Sequence, residues 1–283
     1  MTTASILGAG DLGGAIAHAL ARGGRVSRVL LVDAAGGVAA GKALDILQSG
    51  AIEGFHVHLD GTDDVSRATA SSVCVVADRA GQPAREWDGE GGLGLLNRLA
   101  GYGGTAPLVF AGESQAGLLL TAAREAGIRR ERLIGSAPEA LTSAARAIVA
   151  MEAGCSPSEV NLTVLGVPPA GFVVPWSEAS IGGHALERVL TQVQLARLEA
   201  RLAKLWPPGP YALGLAAARV VEGIVDSSRR AFNVLTILGG EFGVHGRVGT
   251  LPALLAPTGI VHARVPTLNT RERVQLETVL GGA

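Results

Sequence analysis

The stretch Ser5-Ile6-Leu7-Gly8-Ala9-Gly10-Asp11-Leu12-Gly13 decides how the chain folds. Ser5-Ile6-Leu7 is a short apolar run of the kind that forms a strand buried on both faces. It leads directly into Gly8-x-Gly10-x-x-Gly13, and residues 15–22 beyond it read as a helix. Each glycine has a physical purpose in a strand–turn–helix of this kind. Gly8 permits the tight turn, Gly10 lets backbone come close to a bound group, and Gly13 allows the helix to pack closely on the strand. The helix start then presents free N–H groups and the positive end of its dipole.

In a chain with 40 glycines a lone GxGxxG carries little weight, so its surroundings matter. A second apolar run, Val29-Leu30-Leu31-Val32, ends at Asp33, twenty residues beyond Gly13. That spacing is the dinucleotide fingerprint, with pyrophosphate on the helix N-terminus and the acid on the ribose hydroxyls. An acid there also repels a 2′-phosphate, which favours NAD over NADP. The cofactor contacts are accordingly assigned to Gly8, Gly10, Asp11, Leu12, Gly13, Asp33 and Ala77. The alternative is a structural glycine turn that holds no ligand.

Further short apolar runs follow at 72–76, 107–110 and 132–135, with a helical stretch such as 118–126 between them. Strand–helix alternation predicts an α/β fold, with a Rossmann doubly wound parallel sheet over residues 1–140. Residues 141–283 read as a mixed α+β domain of the substrate-binding type. Helices are expected there over 141–152, 185–205, 212–224 and 270–279. Strands are expected over 160–165, 172–174, 233–237 and 259–263, with a glycine-rich turn at 239–243.

Composition excludes several function classes. The formal net charge is −1, so there is no basic field to hold nucleic acid or an anionic membrane. A hydrophobic content of 48% is ample for a core. No run approaches eighteen apolar residues, and Asp11 interrupts the N-terminal apolar stretch, so neither a membrane span nor a signal peptide is expected. Cys74 and Cys155 lie in unrelated patterns, and a reduced cytoplasmic protein is the simplest reading.

Several segments in order resemble the malate/lactate dehydrogenase family. Gly41-Lys42-Ala43-Leu44-Asp45-Ile46 and Gly61-Thr62-Asp63-Asp64 are similar to the family's opening half. Gly154-Cys155-Ser156-Pro157-Ser158-Glu159-Val160, then Val164-Leu165-Gly166, is similar to the approach to its catalytic histidine. Val174-Pro175-Trp176-Ser177, Ser180-Ile181-Gly182-Gly183, Tyr211-Ala212 and Gly240-Glu241-Phe242-Gly243-Val244 continue the likeness. The resemblance implies NAD, a small 2-hydroxy acid substrate, and a homodimer or homotetramer that pairs through the helix near Gly41.

Oxidising a 2-hydroxy acid needs a base for the hydroxyl proton, an acid to orient it, and arginines to clamp the carboxylate. On the family's pattern, Pro168 stands where the histidine belongs, Leu141 where its acid belongs, and Ala144 where the clamping arginine belongs. Gly112 replaces the expected asparagine, with Glu113 beside it. In the substrate loop, Gln82 falls on the position that separates lactate from malate, and Asp88 or Trp87 on that of the loop arginine. Asp78 and Arg79 replace small residues beside the cofactor, and residues 88–110 are too few for the family's next helix.

The leading expectation is therefore a dehydrogenase-like protein that binds NAD(H) without ordinary malate or lactate turnover. A second reading is an NAD-dependent oxidoreductase on a less acidic substrate, with a rebuilt site drawn from Gln82, Arg85, Trp87, Gly112 and His184. Leu141, Ala144, Pro168 and Trp87 would then line a more apolar pocket. Glu113, Glu178, Arg85 and Arg146 are a further polar set, with exposed surface charge as the plainer explanation. A third reading is a non-catalytic subunit that assembles with an active relative. No metal site is assigned: His56 and His58 share a strand face but lack a third ligand.

Overall fold

A computed structural model describes residues 2–81 and 85–282. The first half runs β1 (Thr3–Leu7), α1 (Asp11–Gly23), β2 (Arg28–Val32), α2 (Gly36–Glu53), β3 (His58–Thr62) and β4 (Val73–Val76). Two short strands, β5 (Asp78–Arg79) and β6 (Arg85–Glu86), precede α3 (Gly89–Gly101), β7 (Leu108–Phe110), α4 (Ala116–Arg124), β8 (Leu133–Gly135) and α5 (Ala137–Ala153). The second half holds β9 (Val160–Asn161), β10 (Leu165–Val167), β11 (Gly171–Val173), β12 (Ser180–Ile181) and β13 (His184–Ala185). It closes with α6 (Leu186–Val189), α7 (Gln192–Leu202), α8 (Pro210–Val225), β14 (Phe232–Gly239), β15 (His245–Ala256), β16 (Gly259–Ala263) and α9 (Thr270–Gly282).

The parallel strands lie in the order β3-β2-β1-β4-β7-β8, the doubly wound arrangement. Because side chains alternate along a strand, each strand feeds both faces. Ala4, Ile6, Val29, Leu31, Val73 and Val75 pack toward α1 and α8. Leu7, Leu30, Val32, Cys74 and Val76 pack toward α3 and α4. Burying one such Leu, Ile or Val contributes about 1.5–3 kcal/mol, so the two-sided sheet is the main source of stability. The sheet does not stop near residue 140. β14 pairs antiparallel with β8 through Leu235 and Gly135, and β15, β10, β11 and β16 extend it. A separate core joins α5 and α7 around Leu141, Val149, Leu195, Leu198 and Trp176.

Four segments differ from expectation. Residues 185–205 are not one helix: the chain breaks at Leu190, and Thr191 starts α7 with a capping box to Gln194. Residues 160–165 are not one strand, because β9 pairs with β12 whereas β10 belongs to the large sheet. Residues 88–110 do hold a helix, the 13-residue α3, which buries Leu95, Leu96 and Leu99. The 12-residue β15 was not foreseen. Its polar, glycine-containing start obscures the alternation that marks a strand.

Candidate functional site

The glycine turn sits at the C-terminal edge of the parallel sheet. Gly8 donates its N–H to Val32 O at 2.7 Å, tying the turn to the end of β2. A Cβ on Gly13 would lie 2.2 Å from Gly8 O, so α1 approaches the strand as closely as the motif requires. Leu12 is buried, while Asp11 is exposed on the first turn of α1. Ala77, fully buried, donates to Leu7 O and so holds the end of β4 beside the turn.

The N–H groups of that turn are already engaged. Leu12 N donates to Asp78 Oδ2 at 3.1 Å and Gly13 N to Asp78 Oδ1 at 2.8 Å. Gly10 N donates to Asp78 O at 2.9 Å. A Cβ on Gly10 would lie 2.4 Å from the Asp78 carboxyl carbon, so only glycine leaves room for this carboxylate. Burial pushes the Asp78 carboxyl above its ordinary range, against the Gly13 and Leu12 donors and the Lys42 charge, which pull it down. Lys42 Nζ donates to Gly10 O at 2.6 Å and places a cation beside the same turn.

Asp33 lies at the end of β2, as the spacing predicts, and is 5% exposed. Its Oδ2 accepts from Ala9 N at 2.9 Å and Ala80 N at 2.8 Å, and its Oδ1 accepts from Ala35 N at 2.9 Å. The carboxylate thus braces three chain segments. One of them, at Ala80, follows immediately on Asp78 and Arg79.

A second cradle follows β7. Glu86 accepts from Glu113 N at 2.8 Å, from Ser114 N at 3.0 Å and from the Ser114 hydroxyl. A Cβ on Gly112 would lie 2.2 Å from the Glu86 carboxyl carbon, so the absence of a side chain at 112 is what admits Glu86. Gln115, 2% exposed, accepts from Gly112 N and donates to Ala77 O and Trp87 O, which closes the turn from behind. Trp87 donates its indole N–H to Leu7 O at 3.0 Å and its backbone N–H to Ala77 O at 3.3 Å. The Arg79 guanidinium lies 5.0 Å from the centre of the Trp87 ring. Burial, and then the charge of Glu86, raise the Glu113 carboxyl.

Pro168 is joined to Pro169 by a cis peptide bond. It lies with Phe110, Gly112, Pro138, Trp206 and Leu235 around a space of about 10 Å³. That leaves room for one water at most. Leu141 is fully buried in the core around α5, and Ala144 is half-buried on the same helix. None of Leu141, Ala144 and Trp87 is among the residues that line the small space beside Pro168. Arg146 instead lines a cleft of about 350 Å³ with Glu139, Asn161, Glu178 and Arg264. Arg85 and Glu113 line a different one, of about 850 Å³, with Asp11, Arg79, Asp88 and Pro208. The polar set Glu113, Glu178, Arg85 and Arg146 is thus split between two sites.

His184 is exposed at the start of β13, paired with Ile181 of β12. His18 bonds to Glu53 at 2.8 Å and packs edge-on against Phe55, a role within the packing of α1 on α2. His56 precedes β3 and His58 begins it, both exposed. Among the described residues no three His, Cys, Asp or Glu side chains gather to hold a metal. No helix among them is long and apolar enough to cross a membrane. Gln82 lies outside the described residues.

Three contributors escaped the sequence reading: Glu86, Lys42 as a charge at the turn, and Gln115. Asp78 was conspicuous only as a replacement of a small residue. Its destination, 66 positions back in the chain at Leu12, has no local signature. A diphosphate fits the glycine turn only once the Asp78 carboxylate has left it, because both need the Leu12 and Gly13 donors.

No protein-family model matches the chain. A malate dehydrogenase of Cytophaga hutchinsonii is 29% identical over 294 residues, spanning 97% of this chain and 93% of that relative. A malate dehydrogenase of a Roseiflexus species is 28% identical, spanning 95% and 92%. In fold, the malate dehydrogenase of Salinibacter ruber superposes with a TM-score of 0.86 at 23% identity, covering 99% of this chain and 94% of that one. A lactate dehydrogenase of Cryptosporidium parvum, solved with lactic acid and nicotinamide adenine dinucleotide, gives 0.87 at 21% identity, covering 99% and 95%. A doubly wound sheet and a strand–GxGxxG–helix turn with Asp33 beside it agree with this likeness, and the chain is similar over nearly its whole length to malate dehydrogenases and shares the fold of malate and lactate dehydrogenases.

Proposed function

We propose that the chain binds NAD(H) at the glycine turn but does not carry out ordinary malate or lactate turnover. The observation that carries the second half of this reading is Pro168. It has no titratable group, so it cannot move the hydroxyl proton, and the space around it is about 10 Å³. Leu141 and Ala144 support the same conclusion, since neither can orient a base or clamp a carboxylate. Loss of a general base alone lowers a rate by about 10²–10⁴, and residues that act as a unit do not add. NAD is supported by the glycine turn, by Asp33, and by the cofactor bound in the Cryptosporidium lactate dehydrogenase.

The test is a steady-state assay at high protein concentration with NADH and either oxaloacetate or pyruvate. Turnover at the ordinary rates of this family would overturn the loss of activity. Calorimetric titration with NADH tests binding separately.

The same reading includes self-association as a homodimer or homotetramer. It is supported by the exposed apolar side chains Val38, Leu44, Leu47 and Ile52 on α2. Sedimentation velocity checks it, and a monomer at micromolar concentration would remove this part. A cytoplasmic setting is supported by two cysteines that are both free.

A further inference from the structure

This inference rests on the NAD(H)-binding reading and concerns what the dinucleotide displaces. We propose that Asp78 sets cofactor affinity in this chain: its carboxylate is an intramolecular competitor for the diphosphate seat, and a dinucleotide binds by taking the Leu12 and Gly13 N–H groups from it.

The two ligands need the same donors. A diphosphate at a glycine turn is held by the first N–H groups of the following helix. Here those groups point at Asp78, at 3.1 and 2.8 Å. They cannot serve a second anion, and two anions at one seat repel. Gly10, which exists in the motif to let a phosphate approach, instead has the Asp78 carboxyl at that approach.

The exchange also reaches the ribose end. Ala80, two residues past Asp78, donates to Asp33 Oδ2 at 2.8 Å. If β5 shifts away from the turn, that donor is withdrawn and the oxygen becomes free for a hydroxyl. Lys42 stays, held by Gly10 O on the turn itself, and supplies the countercharge to the incoming diphosphate. Glu86 is bonded to a different turn, at Glu113 and Ser114, so β6 retains its anchor while β5 yields. The Asp78 side chain is tethered beside the seat, so it competes at an effective concentration that no buffer anion matches.

Apparent affinity falls in proportion to the fraction of molecules whose seat is free. The experiment is a calorimetric titration of the full chain with NADH and with ADP-ribose, which carries the diphosphate without the nicotinamide. It compares the wild type with Asp78→Gly and Asp78→Asn. Asp78→Gly should bind both ligands at least about 10-fold more tightly than wild type. Asp78→Asn, which keeps the shape but loses the charge, should fall between them and serves if the glycine variant does not fold. Equal affinity in a folded variant and the wild type would overturn the competition while leaving NAD(H) binding intact. Absence of binding to either ligand at millimolar concentration, in a variant with a cooperative thermal transition, would overturn both readings.

Discussion

Asp78 and Glu86 are cross-strand partners on the short ladder of β5 and β6, yet their carboxylates turn to two separate backbone cradles. Like charges directly opposite each other in a ladder ordinarily repel. Here each is met by its own pair of backbone N–H groups, Leu12 and Gly13 for Asp78, Glu113 and Ser114 for Glu86. Each cradle is open only because a glycine, Gly10 or Gly112, leaves out the side chain that would fill it. The ladder thereby pins itself across the mouth of the parallel sheet, over the ground a dinucleotide would cover.

Gly112→Ala should evict the Glu86 carboxylate and lower stability by about 1–3 kcal/mol, the cost of overpacking a tight contact. Glu86→Ala should cost about as much by leaving the Glu113 and Ser114 donors without it. The double variant should lose clearly less than the sum, because both changes break one interaction. Urea denaturation of the four proteins measures this, and strict additivity would refute the coupling.

Asp33→Asn should lower the urea midpoint even without cofactor. The carboxylate accepts from Ala9, Ala35 and Ala80, and an amide has only one acceptor oxygen. A buried donor left unpaired costs about 1–3 kcal/mol. An unchanged midpoint would mean that the acid bears on ligand alone.

Arg230→Ala should destabilise in a pH-dependent way. Glu139 is buried and accepts from Arg230 and from Asn233 N, and burial raises its carboxyl above the ordinary value. A carboxyl raised in the fold adds stability that is full below its unfolded value and is lost as pH rises through its folded value. Removing the arginine raises it further, so the deficit of the variant should be small near pH 4 and grow toward pH 7. Arg230 is half exposed, so solvent screening holds the effect to about 1 kcal/mol. A deficit that shrank with rising pH would exclude the pairing.

A thiol reagent should modify one cysteine in the native protein and two after unfolding. Cys74 is buried between β1 and β7, and its burial pushes the thiol up to about 12. Cys155 is half-buried and free. Fast reaction of both in the folded state would contradict the packing of β4.

Local sequence alone determined much of the frame. The short apolar runs, the glycine turn and Asp33 at the end of β2 act within a few residues of themselves, through side-chain alternation and backbone sterics, and all of them lie in the expected elements. Residue identity likewise decided that Pro168 and Leu141 bear no proton-transferring group. Tertiary structure decided which group occupies the seat that the glycine turn makes. Asp78 meets Leu12 and Gly13 across more than sixty residues, and Glu86 meets Ser114 across 28. A backbone N–H takes any anion that reaches it, so the motif specifies a donor and not its acceptor. Only the packed sheet, which brings the ends of β1, β4 and β7 side by side, selects the carboxylates that arrive there.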